Sequence, residues 1–343
     1  MKPIRVALET QYAYGTPTGL GTYARKLADA LRERADVALT EIALPDADVW
    51  RFDRRLVWDQ WSAPRLARRA RPDVTHFTGG TLSVAPPHPC VLTVHDLAWL
   101  AGAVRGRFYS RFYFAGVQRA LARKADRIVA DTETARAEIS SRLGKSVDAI
   151  AVAGAGVDDV WFTIERSAVD PAYVLAVGTV EARKDLETAV RAIARLPGIR
   201  LVSAGMHTAY AQAVLDAAAR AGVADRVTLL GYVSPEQLRS LYAGATALVF
   251  PSRYEGFGLP PLQALAARVP VVAADIPVLR EVLGDCAFFA ARGQDEEFAD
   301  AIKRAQHDAV LVTPMLERGQ MRARSFTWRS VAQRLVDVYR SLV

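Results

Sequence analysis

Residues 250–265 have the sequence Phe-Pro-Ser-Arg-Tyr-Glu-Gly-Phe-Gly-Leu-Pro-Pro-Leu-Gln-Ala-Leu. A strand-like apolar run, 247–250, leads into a glycine-rich turn, and two prolines then open an apolar helix. Such a turn brings backbone N–H groups and the positive end of the helix dipole together, which favours an anionic ligand. Glu255 lies in the turn, and Gln263 lies a little over two helical turns along the helix. The two polar side chains can therefore hold two parts of one long ligand.

The same order of strand, turn and helix recurs along the chain. Predicted strands are 4–8, 37–44, 73–77, 89–95, 127–130, 147–152, 173–178, 200–205, 227–231, 247–250 and 269–274. Helical patterns fill most of the intervals, so we predict α/β domains with parallel sheets covered on both faces. A polar interval at 163–171 interrupts the alternation, which restarts at 173. The restart and the length of 343 residues predict two Rossmann-like domains facing across a cleft.

The stretch 250–265 resembles the donor-sugar signature of retaining glycosyltransferases of the family-4 type, which have the GT-B fold. That signature has two Glu residues separated by seven positions, and here Gln263 replaces the second. The resemblance implies that Glu255 meets the sugar hydroxyls of a nucleotide sugar and that residue 263 meets the ribose. A glutamine can still hydrogen-bond to a ribose diol, but without charge. The backbone groups implied to meet the diphosphate are those of Gly256, Phe257, Gly258 and Leu259.

The resemblance extends over nearly the whole chain and implies a domain arrangement. It implies an N-terminal Rossmann-like acceptor domain at 1–165 and a C-terminal Rossmann-like nucleotide-sugar domain at 172–325. The last segment, 326–343, carries apolar residues at helical spacing. In this family such a helix crosses back onto the N-terminal domain, and we expect the same here.

A second motif, 178–186, follows the first strand of the C-terminal half and has the sequence Gly-Thr-Val-Glu-Ala-Arg-Lys-Asp-Leu. Adjacent Arg183 and Lys184 can neutralise a diphosphate. The planar guanidinium of Arg183 can donate two parallel hydrogen bonds, and the ammonium of Lys184 acts as a compact charge. The motif is similar to Gly-Thr-x-Glu-Pro-Arg-Lys-Asn-Leu in one mannosyltransferase-like branch of the family. Many members carry Arg directly after the glycine, where Thr179 stands here. The resemblance therefore assigns the diphosphate mostly to Arg183 and Lys184, with Gly178 near the nucleotide.

Three further segments lie at predicted strand ends or just beyond them, where ligands of open α/β sheets gather. His95 begins a His-Asp-Leu run that resembles a segment of the same branch, in which the histidine meets the donor sugar near the anomeric centre. The alternative for His95 is a core histidine with a satisfied hydrogen bond. Gly19 and Gly21 resemble the glycine-rich loop that covers the donor diphosphate and the acceptor. Val233 is at a position that flanks the base in this family.

Composition excludes several classes of protein. Hydrophobic residues make up 51% and charged residues 24%, as in ordinary globular proteins. The first residues lack a signal-peptide core, and no apolar run is long enough for a membrane span. Cys90 and Cys286 have neither disulfide nor metal-site spacing, so we expect buried thiols in a cytoplasmic protein. No Asp-x-Asp motif stands where it would suggest a metal site, so we expect no catalytic metal and no other cofactor.

The formal net charge is +7, and part of the excess is clustered. Residues 51–71 contain seven Arg and two Asp beside Phe52, Trp58 and Trp61, and residues 105–127 have a similar basic and aromatic character. Such stretches suit an anionic membrane surface, contacted peripherally, or an anionic lipid-linked acceptor. Equally, they can be solvated helix faces whose aromatic residues belong to the core. No nucleic-acid-binding motif accompanies them.

The resemblance implies a metal-independent hexosyltransferase that retains the anomeric configuration. We expect it to move a hexose, with mannose from GDP-mannose favoured, to a saccharide or lipid-linked acceptor in cell-envelope polysaccharide biosynthesis. Family members use front-face attack, in which the leaving phosphate takes the acceptor proton. A sugar-nucleotide epimerase, a glycoside phosphorylase and a membrane-surface scaffold stay open as alternatives. A non-catalytic nucleotide-sugar-binding subunit also stays open, because Gln263 departs from the signature.

Overall fold

The computed structural model describes residues 2–15, 18–98 and 112–343, apart from the side chains of Phe114 and Ala115. The chain forms two compact units. One unit comprises Met1–Gly156 and Thr327–Val343, and the other comprises Val157–Phe326. Residues 157–165, which the sequence analysis assigned to the N-terminal domain, are therefore part of the second unit.

The first unit contains a six-stranded parallel sheet. Its strands are β1 (Ile4–Glu9), β2 (Val37–Ile42), β3 (Val74–Phe77), β4 (Cys90–Thr93), β5 (Arg127–Ala130) and β6 (Ile150–Val152). Their order across the sheet is β2-β1-β3-β4-β5-β6. Val6 pairs with Leu39 on one side and with Val74 on the other. The strand order therefore reverses between β1 and β3, the point at which such sheets hold ligands.

The described helices of the first unit cover both faces of this sheet, as parallel strands require. They are Gly19–Arg32, Phe52–Val57, Ala63–Ala70, Arg119–Ala122, Glu133–Leu143 and Trp328–Arg340, with π-helical turns at Trp58–Ser62 and Phe112–Gln118. The sequence pattern predicts a helix over 108–124, of which residues 108–111 lie outside the described part of the chain. The side chain of Thr18 caps the first helix by accepting a hydrogen bond from the Gly21 N–H at 3.1 Å.

The second unit has its own six-stranded parallel sheet. Its strands are β7 (Tyr173–Val177), β8 (Arg200–Ala204), β9 (Val227–Leu229), β10 (Ala247–Phe250), β11 (Val271–Ala274) and β12 (Phe288–Ala290). Their order is β12-β11-β10-β7-β8-β9, which reverses between β7 and β10. Its helices are Leu186–Ala194, Tyr210–Arg220, Pro235–Gly244, Leu259–Ala266, Pro277–Leu283, Asp295–His307 and Ala309–Arg324. The strand β12 and the last three of these helices were not predicted from the sequence.

The predicted class of two Rossmann-like α/β sheets is confirmed by these two strand orders. The central strands β4 and β10 are fully buried apolar runs, as expected for strands covered on both faces. Among the described helices, none has both the length and the apolar character needed to cross a bilayer.

The last helix, Trp328–Arg340, is anchored in the first unit by polar contacts as well as by apolar packing. The Tyr339 hydroxyl lies 2.6 Å from Nδ1 of His76, and Nε2 of His76 lies 2.7 Å from the Thr93 hydroxyl. All three side chains are buried. Burial lowers the pKa of His76 to about 3, so the native state holds this ring neutral at ordinary pH.

We predict that His76 makes the first unit less stable as the pH falls from 6.5 to 5. The unfolded chain protonates this histidine near its ordinary pKa of about 6.5, whereas the native state resists protonation, so the free energy of unfolding should fall by about 1.4 kcal/mol per pH unit. His76→Gln should flatten that slope. Urea unfolding followed by tryptophan fluorescence measures it, because every tryptophan except Trp161 belongs to the first unit.

His307→Gln serves as the control, because His307 is exposed in the second unit. This variant should keep the wild-type slope. Equal slopes in wild type and His76→Gln would contradict the assignment.

Candidate functional site

The candidate site of the second unit lies where the strand order reverses. β7 and β10 are neighbours in the sheet, with Leu175 paired to Leu248. The loop that follows β7 carries 178–185, and the loop that follows β10 carries 251–258. Because the carboxyl ends of parallel strands share one edge of a sheet, the two sequence motifs meet at this edge.

Glu255 joins the two loops. Its Oε1 lies 2.6 Å from Nζ of Lys184, and its Oε2 lies 3.2 Å from Nη1 of Arg183. The side chains of Glu255 and Lys184 are only 8% and 11% exposed. The Lys184 ammonium also lies 4.7 Å from the centroid of the Phe250 ring, within the range of a cation–π contact. The three charged residues predicted from the motifs thus form one buried cluster.

Burial and the neighbouring charges shift the pKa values of the residues in this cluster. Burial alone would raise the pKa of Glu255, but Lys184 and Arg183 outweigh burial and hold that pKa below its usual value. Burial lowers the pKa of Lys184, although Glu255 opposes the change. Nε of Arg183 also pairs with Oε1 of Glu181 at 2.8 Å. When Glu181 is counted with the cluster, two cations therefore face two carboxylates.

Gly258 starts the helix Leu259–Ala266 in a backbone conformation that favours glycine, with φ at 98°. A Cβ at this position would lie 2.7 Å from Cδ2 of Leu279, so there is also no room for a larger residue. The glycine lets the loop pass directly from Glu255 into the first turn of the helix. Of the first three helical residues only Leu259 has a backbone N–H, because the other two are prolines, and the positive end of the helix dipole lies next to the Glu255 cluster in the chain.

The other predicted residues of this unit have different surroundings. Gln263 is partly exposed on the helix Leu259–Ala266, and its side chain makes no hydrogen bond within the described part of the chain. Phe257 is buried, with its ring 5.8 Å from that of Phe326, so its side chain belongs to the core. Val233 is partly exposed after β9, and Gly178 follows β7 directly.

Asp185 and Arg253 form a second connection between the two loops. Neither residue was predicted as part of the site. Nη2 of Arg253 lies 2.9 Å from Oδ1 of Asp185, and the Arg253 N–H donates to the Arg183 carbonyl at 2.8 Å. Oδ2 of Asp185 accepts from the Thr188 hydroxyl at 2.9 Å. The only hint in the sequence was a carboxylate directly after the Arg-Lys pair.

In the first unit, His95 follows β4 and is held by Asp131, which follows β5. Nδ1 of His95 lies 2.8 Å from Oδ2 of Asp131. Nε2 of His95 is buried and has no hydrogen-bond partner among the described residues. Burial opposes the imidazolium form, but Asp131 outweighs burial and raises the pKa of His95. Asp131 was not predicted, because its only signal was a carboxylate at the end of the adjacent strand.

Gly19 and Gly21 lie in the first turn of the helix Gly19–Arg32. A Cβ on Gly21 would lie 2.2 Å from the carbonyl oxygen of Tyr12, so this glycine is required for packing within the unit. Gly19 has open space around it. The structure therefore supplies a packing reason for Gly21 and leaves Gly19 accessible to a ligand.

The basic stretch 51–71 divides into buried and exposed residues. Trp58 is buried and donates its Nε1–H to Glu9 at 2.6 Å, whereas Trp61 is 73% exposed. The helical segment Phe52–Ala70 thus contains one core tryptophan and one surface tryptophan. In the second basic stretch, residues 105–111 lie outside the described part of the chain.

Two family models match consecutive parts of the chain. The model for glycosyltransferase family 4 matches residues 17–161, and the model for glycosyl transferases group 1 matches residues 157–324. Together they account for residues 17–324, with the charged cluster within the second match.

Curated relatives are also glycosyltransferases. The O-antigen chain mannosyltransferase RfbU of Salmonella typhimurium is 26% identical over 315 residues, which cover 84% of this chain and 87% of the relative. The O-antigen chain mannosyltransferase B of Escherichia coli is 32% identical over 176 residues, covering 50% of this chain. The second match spans slightly less than half of that relative, at 46% of its length.

Solved structures share the fold at low sequence identity. Anabaena Alr3699/HepE, in complex with UDP and glucose, superposes with a TM-score of 0.74 at 16% identity, covering 99% of this chain and 100% of the other. The strand orders, the two matched family models and this likeness agree with each other. The chain belongs to the GT-B glycosyltransferases.

Proposed function

We propose that this protein is a retaining hexosyltransferase that uses a nucleotide diphosphate sugar as its donor. The main support is that Arg183, Lys184 and Glu255 contact one another at the carboxyl ends of β7 and β10. A helix N-terminus follows directly in the chain. Two cations and the positive end of a helix dipole suit a diphosphate, and a carboxylate suits sugar hydroxyls.

The cluster also indicates how its residues would change partners when donor binds. The Lys184 ammonium has three N–H donors, and its described contacts use one of them, for Glu255. A diphosphate would compete with Glu255 for the cations and leave carboxylate lone pairs for the hydroxyls of the sugar. During transfer, Arg183 and Lys184 would stabilise the charge that develops on the leaving phosphate. Gln263, with no hydrogen bond among the described residues, would hold the ribose.

We propose mannose from a GDP sugar as the donor group and a saccharide or lipid-linked saccharide as the acceptor. The support is that both curated relatives described above are named O-antigen chain mannosyltransferases. We propose further that transfer needs no divalent metal, because Arg183 and Lys184 can supply the positive charge at the diphosphate. An epimerase or a non-catalytic binding subunit would use the same cluster, so turnover has to separate these alternatives.

We predict that one nucleoside diphosphate among UDP, GDP, dTDP and ADP, with GDP favoured, will raise the melting temperature in the presence of EDTA. Ligand at a hundred times its dissociation constant should add about 2.7 kcal/mol of stability. Lys184→Met keeps the volume of the side chain but removes one charged hydrogen bond, and should weaken binding about ten- to a hundredfold. Calorimetric titration of both proteins gives the affinities.

Lys303→Met is the matched control, because Lys303 is an exposed lysine on another helix of the same unit. It should bind like the wild type, and equal affinity in Lys184→Met would contradict the assignment.

Turnover is then tested with the sugar donor of the bound nucleotide and a saccharide acceptor. A glycoside with the donor's anomeric configuration supports the proposal. Nucleotide release without acceptor would favour an epimerase, and binding without any turnover would favour a binding subunit.

In the first unit we propose that Asp131 holds His95 in its charged form. The contact of His95 with the donor sugar stays a prediction from the sequence, but the effect of Asp131 on the ring can be tested without substrate. The raised pKa means that the pair stabilises the native state below the ordinary histidine pKa. This contribution is lost as the pH rises through the native pKa.

We predict that the native pKa of His95 lies above the ordinary value of about 6.5 and falls in Asp131→Asn. The amide keeps a hydrogen-bond acceptor but removes the charge, so burial then favours the neutral ring. An NMR titration of the histidine ring protons measures both values, with His95→Gln identifying the resonance. A wild-type pKa at or below 6.5 would refute the proposed pairing.

We also propose peripheral contact with an anionic membrane through a basic aromatic face formed by Arg54, Val57, Trp61 and Arg65. These residues follow one another at helical spacing within the segment Phe52–Ala70, and all are exposed. Neither arginine has an ion pair among the described residues. An exposed tryptophan between arginines suits the boundary between headgroups and acyl chains.

We predict that the protein will sediment with phosphatidylglycerol vesicles and not with phosphatidylcholine vesicles. Arg65→Gln should weaken binding about fivefold, since one basic residue near an anionic surface contributes about 1 kcal/mol. Trp61→Ser should weaken it as well. Arg220→Gln, an exposed arginine of the second unit, is the control. If Trp61→Ser and Arg65→Gln sediment with phosphatidylglycerol vesicles as strongly as the wild type, the proposed face is wrong.

A further inference from the structure

A second polar cluster lies in the first unit, at the amino ends of two neighbouring strands. Cys90 is the first residue of β4, and Asp126 immediately precedes β5. His88 stands two residues before Cys90. One ligand atom from each of the three side chains lies within 4.8 Å of the other two. The sequence does not suggest this grouping, because 36 positions separate Cys90 from Asp126.

The distances within the cluster are close to those of a coordination shell. Sγ of Cys90 lies 3.8 Å from Nδ1 of His88, and Nδ1 of His88 lies 2.7 Å from Oδ2 of Asp126. In a tetrahedral zinc site, bonds of about 2.0–2.3 Å place neighbouring ligand atoms about 3.2–3.7 Å apart. The sulfur–nitrogen distance of 3.8 Å lies just above this range, so the two atoms would have to approach each other slightly. The nitrogen–oxygen pair would open by about half an ångström as an ion replaces the hydrogen bond.

We propose that His88, Cys90 and Asp126 form a binding site for a zinc-like divalent cation. Thiolate, imidazole and carboxylate together are ligands that Zn²⁺ accepts, and three of them leave a fourth position for water. Binding replaces the thiol proton of Cys90, which passes to solvent, by a bond from the sulfur to the ion.

The surroundings of the cluster allow an ion to enter. The side chains of His88 and Asp126 are 51% and 36% exposed, so solvent reaches two of the ligands, while Cys90 is buried behind them. The backbone also fixes the relative position of two ligands. The Cys90 N–H donates to Oδ2 of Asp126 at 2.7 Å, and the Asp126 N–H donates to the Cys90 carbonyl at 2.9 Å.

Two cations lie nearby: Nη1 of Arg127 donates to the Asp126 carbonyl at 3.1 Å, and the Lys145 ammonium is also partly engaged. Nζ of Lys145 donates to the carbonyl oxygens of Ala125 and Arg123, at 2.6 and 3.0 Å. The ammonium opposes a second positive charge, so we expect the site to bind less tightly than a four-ligand zinc site. Burial and Asp126 raise the pKa of the Cys90 thiol, and the ammonium offsets only part of this change, so an ion has to displace the thiol proton against it.

The position of the cluster indicates a structural role. His95 follows the carboxyl end of β4, whereas Cys90 begins the same strand, so the two lie at opposite edges of the sheet. An ion at this cluster would join the segment before β4 to the start of β5. It would take no part in the chemistry at the carboxyl edge, and the proposal does not depend on the function proposed above.

The test is titration of the metal-free, reduced protein with Co²⁺, which occupies zinc sites and gives a sulfur-to-metal charge-transfer absorption when a thiolate is bound. We expect this absorption to saturate at one ion per chain and to disappear when Zn²⁺ is added. Cys90→Ser should abolish it. His88→Ala and Asp126→Asn should each weaken Co²⁺ binding at least tenfold.

Cys286→Ser is the matched control, because Cys286 is the other buried thiol of the chain and lies beside Asp285. It should keep the wild-type absorption and affinity. No thiolate absorption in the wild type, or an absorption that survives in Cys90→Ser, would overturn the proposal. Circular dichroism of each variant without metal establishes that it is folded before it is titrated.

Discussion

A carboxylate buried against two cations sets the arrangement of the charged site in the second unit. Glu255 belongs to the loop after β10, whereas Arg183 and Lys184 belong to the loop after β7. Removing one partner from a buried ion pair leaves an uncompensated charge, which costs several kcal/mol. The two loops are therefore held together, and Asp185 with Arg253 adds a second link between them. The site is thus assembled before a ligand arrives.

The first unit uses a buried carboxylate in a similar way. Glu9 ends β1 and accepts hydrogen bonds from Nε1 of Trp58 and from the N–H groups of Thr78 and Gly79, at 2.6–3.0 Å. Burial raises the pKa of Glu9 even though these donors oppose the change. The loop after β3 is thereby tied to the end of β1, where the strand order reverses. In each unit, a glutamate at the reversal point connects segments that are distant in sequence.

Much of the fold was predictable because its signals are local. Fully buried parallel strands such as β4 and β10 are short apolar runs, and the turns between elements carry glycine or helix caps. The three helices between residues 277 and 324 and the strand β12 were not predicted. That strand has only three residues, Phe288–Ala290, and the helix Ala309–Arg324 contains Pro314, which weakens a helical pattern.

Short motifs and periodicity were enough to predict the two Rossmann-like units, the family and the three charged residues at the β7 and β10 loops. Which groups share a proton or pair their charges became visible only in the folded chain, because it depends on contacts between distant segments. The pairing of His95 with Asp131 and the grouping of His88 and Cys90 with Asp126 depend on which strands are neighbours. Strand order is a property of long-range packing, so residues that are 36 or 38 positions apart come within hydrogen-bond distance without any local signal.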